Sequence, residues 1–364
     1  MNKSITDIPK TIYLLKVIGS PFDPKNTLCP KNKEEAWALY ELSVKNKISL
    51  SYLESIKAQS KLSDFNLSAE YEKEMLKYKT QSITNARVSR LLNSHGVNYA
   101  VFKSIIPFPA TPNDVDIIHF GSDAEFEDLT NIMVNSNYIE IKGEVDASQR
   151  MFHDLRECQH LNPHKKDVYD IDIYQKISAS RVVYIDKTKI EKYVQKINFL
   201  GVNINILSRE TELMAIIIHS IVPEMLFTLL VYYTSLHYIK LMNLGDIDKF
   251  IAISQDNNVI HSVRSHFTLI SELHQSAHGF VPDKVQYLLT KVSANKKENE
   301  LLLKNNYNCP HMYSMWTVFW VLLEKLKEFE FQKSVINQIL YMLNPKVTKW
   351  VITNIIWRRN RDTY

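Results

Sequence analysis

Two aspartates two residues apart, in the run Asp114-Val115-Asp116-Ile117-Ile118, are the residues of this chain best placed to do chemistry. On a strand, side chains at i and i+2 share a face, so both carboxylates aim together while Val115 and Ile117 turn into a core. Paired carboxylate oxygens suit a hard divalent cation such as Mg²⁺. A second alternating run, Val168-Tyr169-Asp170-Ile171-Asp172-Ile173-Tyr174, puts Asp170 and Asp172 on one face of a neighbouring strand. Alternation does not separate these two; Asp172 is preferred because Ile171 and Ile173 flank it as core residues. Three convergent acids suit two-metal phosphoryl or nucleotidyl transfer.

The elements that must position the acids follow from local signals. Leu91, Leu92, Ser94, His95 and Gly96 form the end of a helix, with Gly96 in the C′ position where a left-handed residue is needed. A strand over 97–102 comes next, then Lys103-Ser104, then nine residues containing Pro107, Pro109 and Pro112 before Asp114. Phe120-Gly121-Ser122-Asp123 closes the second strand, and Ser122 or Asp123 serves as N-cap for a helix over 124–135.

In this order of helix, strand, small polar residue, loop and Asp-x-Asp strand, the chain resembles the nucleotidyltransferase superfamily related to DNA polymerase β. In particular it is similar to an uncharacterised bacterial and archaeal nucleotidyltransferase-like family in which a strand ending in Leu-Lys-Gly precedes the Asp-x-Asp. Val101-Phe102-Lys103-Ser104 stands for that turn, and Ile171-Asp172-Ile173-Tyr174 for the family's later Val-Asp-Leu-His strand. The family's Ser-x-Glu-x-x-Leu helix with a following His corresponds to the segment from Ser208 to Leu213 and His219. The resemblance spans roughly 34–248. It implies that Asp114, Asp116 and Asp172 are catalytic and hold Mg²⁺ or Mn²⁺, with Asp172 also helping to deprotonate an acceptor hydroxyl. It implies that Lys103 and Ser104 contact the phosphates of a nucleoside triphosphate, ATP or another, and that pyrophosphate leaves. The acceptor is unidentified. Two departures stand out: Ser104 replaces the family's glycine, and Tyr174 replaces its histidine. They admit an alternative, a catalytically silent nucleotide-binding or protein/membrane-interaction module on the same fold.

Other candidates have plainer readings. His153, Cys158, His160 and His164 match no tight zinc framework and are expected on a loop and an edge strand near the site mouth. Arg150 and Arg156 either face the incoming phosphate or acceptor or are ordinary surface arginines. His219, in an apolar helical run, is expected as a hydrogen-bonded core histidine.

The 364 residues, 45% hydrophobic and 23% charged, exclude a disordered chain and allow two domains. The formal net charge of +4 is matched by the tail 344–364 alone, where Lys346, Lys349, Arg358, Arg359 and Arg361 face a single Asp362. The remainder is near neutral, so there is no strong nucleic-acid signal. The same tail carries Trp350, Val351, Ile355, Ile356 and Trp357, a composition suited to weak contact with an anionic membrane surface or a partner. Three scattered cysteines, Cys29, Cys158 and Cys309, indicate no disulfide framework, and the apolar stretch at 11–19 is too short for a secretory signal; a cytoplasmic setting is expected. No segment reaches a membrane span.

Periodicity predicts helices over 34–46, 50–60 and 69–94, the last with Leu76, Ile83 and Leu91 about two turns apart, which would brace the sheet. A strand over 202–207 leads to Ser208 as an N-cap. Two core helices broken at Pro223 occupy 213–242, and further helices cover 315–329 and 333–343. The expected class is α+β: a small mixed β-sheet of the polymerase-β nucleotidyltransferase type flanked by helices, with a mainly helical C-terminal domain. The divisions are an N-terminal helical region (1–95), a catalytic core (96–208) and a helical domain with the basic aromatic tail (209–364).

Overall fold

Local signals set the elements that carry the sheet. Four helices come first: α1 (Lys10–Ile18), α2 (Lys33–Lys45), α3 (Ser49–Ala58) and α4 (Ser68–Ser94). Asn32 caps α2 by accepting the Glu35 N–H at 2.9 Å. Gly96, just past α4, adopts φ 65°, the left-handed turn that ends the helix and admits strand β1 (Tyr99–Phe102). Strand β2 (Asp114–His119) returns antiparallel to β1, with Val101 opposite Ile117 and Phe102 opposite Asp116. A full capping box, Ser122 with Glu125, opens α5 (Asp123–Asn135). The computed structural model describes residues 8–112, 114–141, 148–158, 169–179 and 181–343.

The sheet then grows in both directions. Strands β3 (Tyr138–Glu140) and β4 (Gln149–Asp154), followed by the short α6 (Leu155–Cys158), form one margin. Strand β5 (Asp170–Tyr174) inserts between β4 and β2, parallel to β2. A separate two-stranded hairpin of β6 (Ile177–Ala179) and β7 (Val182–Ile185) and the short α7 (Lys187–Ile190) precede β8 (Val194–Phe199) and β9 (Val202–Leu207). Strand β9 lies parallel to β1, giving a mixed seven-stranded sheet of order β3-β4-β5-β2-β1-β9-β8.

Strand alternation gives the sheet two different faces. On one, Val101, Val115, Ile117, Ile171, Ile173 and Ile204 pack under Val88 and Leu92 of α4 and Phe126, Leu129 and Met133 of α5. On the other, Ala100, Phe102, Ile118, Tyr174 and Leu207 join a larger core. That core includes the N-terminal helices and those that follow the sheet: α8 (Arg209–Ile221), α9 (Leu229–Leu241), α10 (Leu244–Asp256), α11 (Ile260–His278), α12 (Asp283–Val292), α13 (Lys296–Lys304) and α14 (Met315–Lys325). Strands β10 (Leu226–Phe227) and β11 (His311–Met312) pair between them. The last helix, α15 (Phe329–Met342), packs instead on β7, where Ser334 Oγ accepts the Val183 N–H at 3.0 Å. Buried polar ties join the two ends of the chain. Ser20 Oγ meets His274 Nε2 at 2.7 Å, and Asn46 accepts the Leu229 N–H at 3.1 Å while donating to the Cys309 carbonyl at 3.0 Å.

The α+β class is observed, and several elements fall within a residue or two of expectation. Three differences have physical causes. Leu76 and Ile83 are exposed; α4 instead turns Glu74, Gln81, Thr84 and Asn85 inward, because its buried face hydrogen-bonds the loop before β2 as well as packing on the sheet. The break near Pro223 holds a short strand, β10, so α8 ends at Ile221 and α9 restarts at Leu229. The helix expected over 315–329 stops at Lys325, and the next begins at Phe329 rather than 333. Among the described residues no helix is long and apolar enough to cross a membrane. The tail 344–364, with its expected membrane-surface or partner contact, lies outside the described residues, as do His160, His164 and the side chain of Cys158.

One ion cluster fastens α4 to the sheet margin. Asp154, fully buried, takes Arg156 Nε at 2.6 Å and Arg87 of α4. Burial alone would raise its pKa, but hydrogen bonds from Arg156 and Arg87 outweigh it and hold the carboxyl below its ordinary range. Removing one partner leaves a buried charge half-compensated, so Arg87→Leu is expected to cost about 2 kcal/mol in urea unfolding; a loss too small to detect would contradict this assignment.

Candidate metal centre

Alternation puts Asp114, Asp116 and Ile118 on the sheet face opposite α4, and the parallel register sets Asp116 beside Asp172 and Asp114 beside Asp170. The carboxylates of Asp114, Asp116 and Asp172 converge, each offering an oxygen within 4.8 Å of the others. Asp116 is 1% exposed and Asp172 6%, with Asp114 half-buried. Among the described residues, neither Asp116 Oδ1 nor Asp172 Oδ1, both buried, has a hydrogen-bond partner. Buried carboxylate oxygens left unpaired are costly, and a bound cation is the group that would satisfy them. Asp170 is engaged by His153 Nε2 instead.

The turn before the loop carries the cluster's counter-charge. Lys103 adopts φ 59°, so the left-handed residue of the turn is the lysine and not Ser104. Glu212 of α8 holds that conformation by accepting the Lys103 N–H at 2.5 Å. The Lys103 side chain packs over the Phe102 ring, 4.6 Å from its centroid, and brings Nζ to 3.2 Å from Asp116 Oδ2. The Ser104 hydroxyl turns inward: it accepts the Asp116 N–H at 2.7 Å and donates to the Phe102 carbonyl at 3.0 Å. It thus ties the turn to the strand that bears the acids. Gln81 of α4 secures the Ser104 carbonyl at 2.8 Å.

Crowding sets the electrostatics. Burial, then the charges of Asp114 and Asp172, push the Asp116 carboxyl well up, with Lys103 opposing. Burial and the Asp114 charge push Asp172 up to about 7. Burial would lower Lys103, but the attraction of Asp116, with Tyr184 and Asp114, holds its ammonium protonated well above the ordinary lysine range. Glu212 is also raised, to about 7, by burial, with Lys103 opposing.

Of the other expected residues, Arg150 is taken up by Glu127 at 2.6 Å and Glu140 at 2.7 Å, and Arg156 by Asp154. His219, expected as a hydrogen-bonded core histidine, is hydrogen-bonded and also borders the site: its Nδ1 lies 2.7 Å from the Tyr184 hydroxyl and its Nε2 3.4 Å from Lys103 Nζ. Glu224 reaches the same Nε2 at 3.7 Å and Lys47 at 3.7 Å. Sequence reasoning assigned no role to Glu212, Tyr184, Glu224 or Lys47. The one available signal was the seven-residue spacing of Glu212 and His219, which places both on one face of α8.

No protein-family model matches the chain, and no curated protein matches it. Among solved structures, an antigenic nucleotidyltransferase-like protein from Paracoccidioides brasiliensis is similar over 66% of this chain and 96% of its own, with 11% sequence identity and a TM-score of 0.36. At that level of similarity the comparison bears on neither activity nor substrate.

The electrostatics generate a measurable pH dependence. The Asp172 pKa is raised from about 4 in the unfolded chain, so the fold holds the extra proton between there and about 7. Its contribution to stability therefore falls as pH rises through that window. A divalent cation relieves the repulsion only when the carboxylates are charged. The Mg²⁺-induced rise in Tm is expected to be larger at pH 8 than at pH 5. Asp114→Asn, by removing one like charge, is expected to raise the metal-free Tm at pH 8 by roughly 2 °C and to abolish the Mg²⁺ increment. Equal increments at both pH values would contradict the cluster's role.

Proposed function

We propose that this chain is a divalent-cation-dependent nucleotidyltransferase, moving a nucleotidyl group from a nucleoside triphosphate to an acceptor hydroxyl with release of pyrophosphate. The observation that carries the reading is the convergence of Asp114, Asp116 and Asp172 with two buried, unpartnered carboxylate oxygens. Those three residues would hold Mg²⁺ or Mn²⁺, which when bound supplies charge neutralisation and alignment of the phosphate oxygens. The residues of the chain do the rest. Ser104 keeps Asp116 in register with the turn, and the Lys103 ammonium provides a positive charge for the departing phosphates. The acceptor oxygen bonds to the α-phosphorus as the bond to the bridging oxygen breaks; the acceptor proton goes to Asp172 and the electron pair leaves with pyrophosphate. Free Cys29 and Cys309 suit a cytoplasmic setting for this chemistry.

A second reading has one observation in its favour. Lys103 already supplies Asp116 with a counter-charge at 3.2 Å, as a catalytically silent nucleotide-binding or interaction module would require.

Calorimetry separates the two, with ATP, GTP, CTP and UTP each titrated with and without Mg²⁺ into wild type and the double variant Asp114→Ala/Asp116→Ala. The transferase reading expects Mg²⁺-dependent binding of at least one triphosphate, weakened about 100-fold or more in the variant. Binding that ignores both the metal and the substitutions would leave the silent module as the better account.

A further inference from the structure

Lys103 stands between two sets of partners. Asp116 Oδ2 is 3.2 Å from its Nζ, and His219 Nε2 is 3.4 Å from the same atom. An ammonium has only donors, so His219 Nε2 must present its lone pair. The ring proton then sits on Nδ1 and is donated to the Tyr184 hydroxyl at 2.7 Å. Glu224, an acceptor 3.7 Å from the same Nε2, has no proton to offer it and lies 3.7 Å from Lys47. The Lys103 main chain is pinned separately, by Glu212 at 2.5 Å. Its turn is therefore fixed independently of the four-carbon stem, so a change of partner for the ammonium needs only side-chain rotation.

Charge balance says when it should do so. Three carboxylates and one ammonium sum to two negative charges, which a single divalent cation cancels with Lys103 still in place. Any further cation needs the negative charge of phosphates. Without nucleotide, Lys103 and one cation can share the site with its total charge cancelled, but both draw on Asp116 and repel each other; with nucleotide the ammonium charge is better placed on the phosphates.

We propose that Lys103 is a two-position lysine: its ammonium neutralises Asp116 in the cation-free protein and passes to the phosphates when cation and nucleotide bind together, with His219 as the positioning residue that steers it. This rests on the cation-binding reading of Asp114, Asp116 and Asp172. The inference predicts opposite signs for one substitution in two measurements, which a lysine fixed on Asp116 does not.

The test is Mn²⁺ titration of the full chain by electron paramagnetic resonance, alone and with an α,β-methylene analogue of ATP. Lys103→Met is expected to tighten Mn²⁺ binding in the absence of nucleotide by about tenfold and to weaken Mn²⁺-dependent binding of the analogue by about tenfold. His219→Gln, which keeps an acceptor facing the lysine, is expected to behave like wild type. His219→Leu should weaken the analogue while leaving Mn²⁺ alone unchanged. Thermal melts establish that each variant is folded. Lys103→Met moving both affinities in the same direction, or His219→Gln losing as much as His219→Leu, overturns the proposal. Wild type and Asp114→Ala/Asp116→Ala binding Mn²⁺ equally poorly would instead overturn the cation reading itself, and this inference with it.

Discussion

Mutual repulsion of three carboxylates held within 4.8 Å is the constraint around which this structure is arranged. Like charges at that separation, largely removed from water, do not ionise together without compensation. Among the described residues Lys103 is the cation set against the cluster, and its main chain is fastened from a helix 109 residues further on. Among the described residues, nothing pairs with one oxygen each of Asp116 and Asp172. A site so charged and incompletely satisfied is disfavoured in isolation, and a divalent cation is the simplest group that completes it.

The surrounding architecture absorbs the strain of that arrangement. Under the carboxylates, Val115, Ile117, Ile171 and Ile173 anchor β2 and β5 in an apolar layer beneath α4 and α5, so the acids ride on rigid strands. Parallel pairing of β2 with β5 sets Asp116 directly beside Asp172. Ser104 and Gln81 lock the turn to β2 and α4, and α8 supplies Glu212 and His219 from one face. The same α8 belongs to the core shared by the helices that precede and follow the sheet in sequence, so those helical regions and the site are mechanically continuous.

How much of this was legible in the sequence depended on range. The Asp-x-Asp parity is a local, two-residue property, and the alternation of Val115 and Ile117 with the acids was enough to orient it. Gly96 and Ser122 announced a helix end and a helix start through capping chemistry that needs only neighbouring residues. Choosing between Asp170 and Asp172 required the register of β5 on β2 and the position of His153 on β4, which no local pattern encodes. No local signal marked Lys103 as the left-handed residue of its turn, because the group that accepts its N–H, Glu212, is remote in sequence. The stripe of Leu76 and Ile83 misled because α4 buries a polar face whose value lies in hydrogen bonds to the site loop. Strand β8, with an exposed edge and little alternation in burial, left no comparable signal.

The central claim, that these three carboxylates form a cation site, is tested most directly by the structure of crystals grown with Mn²⁺ and read by anomalous scattering. A peak ligated by Asp114, Asp116 and Asp172 is expected, at the Asp116 and Asp172 oxygens for which the described residues offer no partner. Mn²⁺ found elsewhere on the protein, with Lys103 still against Asp116 and the three carboxylates bare at saturating metal, would contradict it.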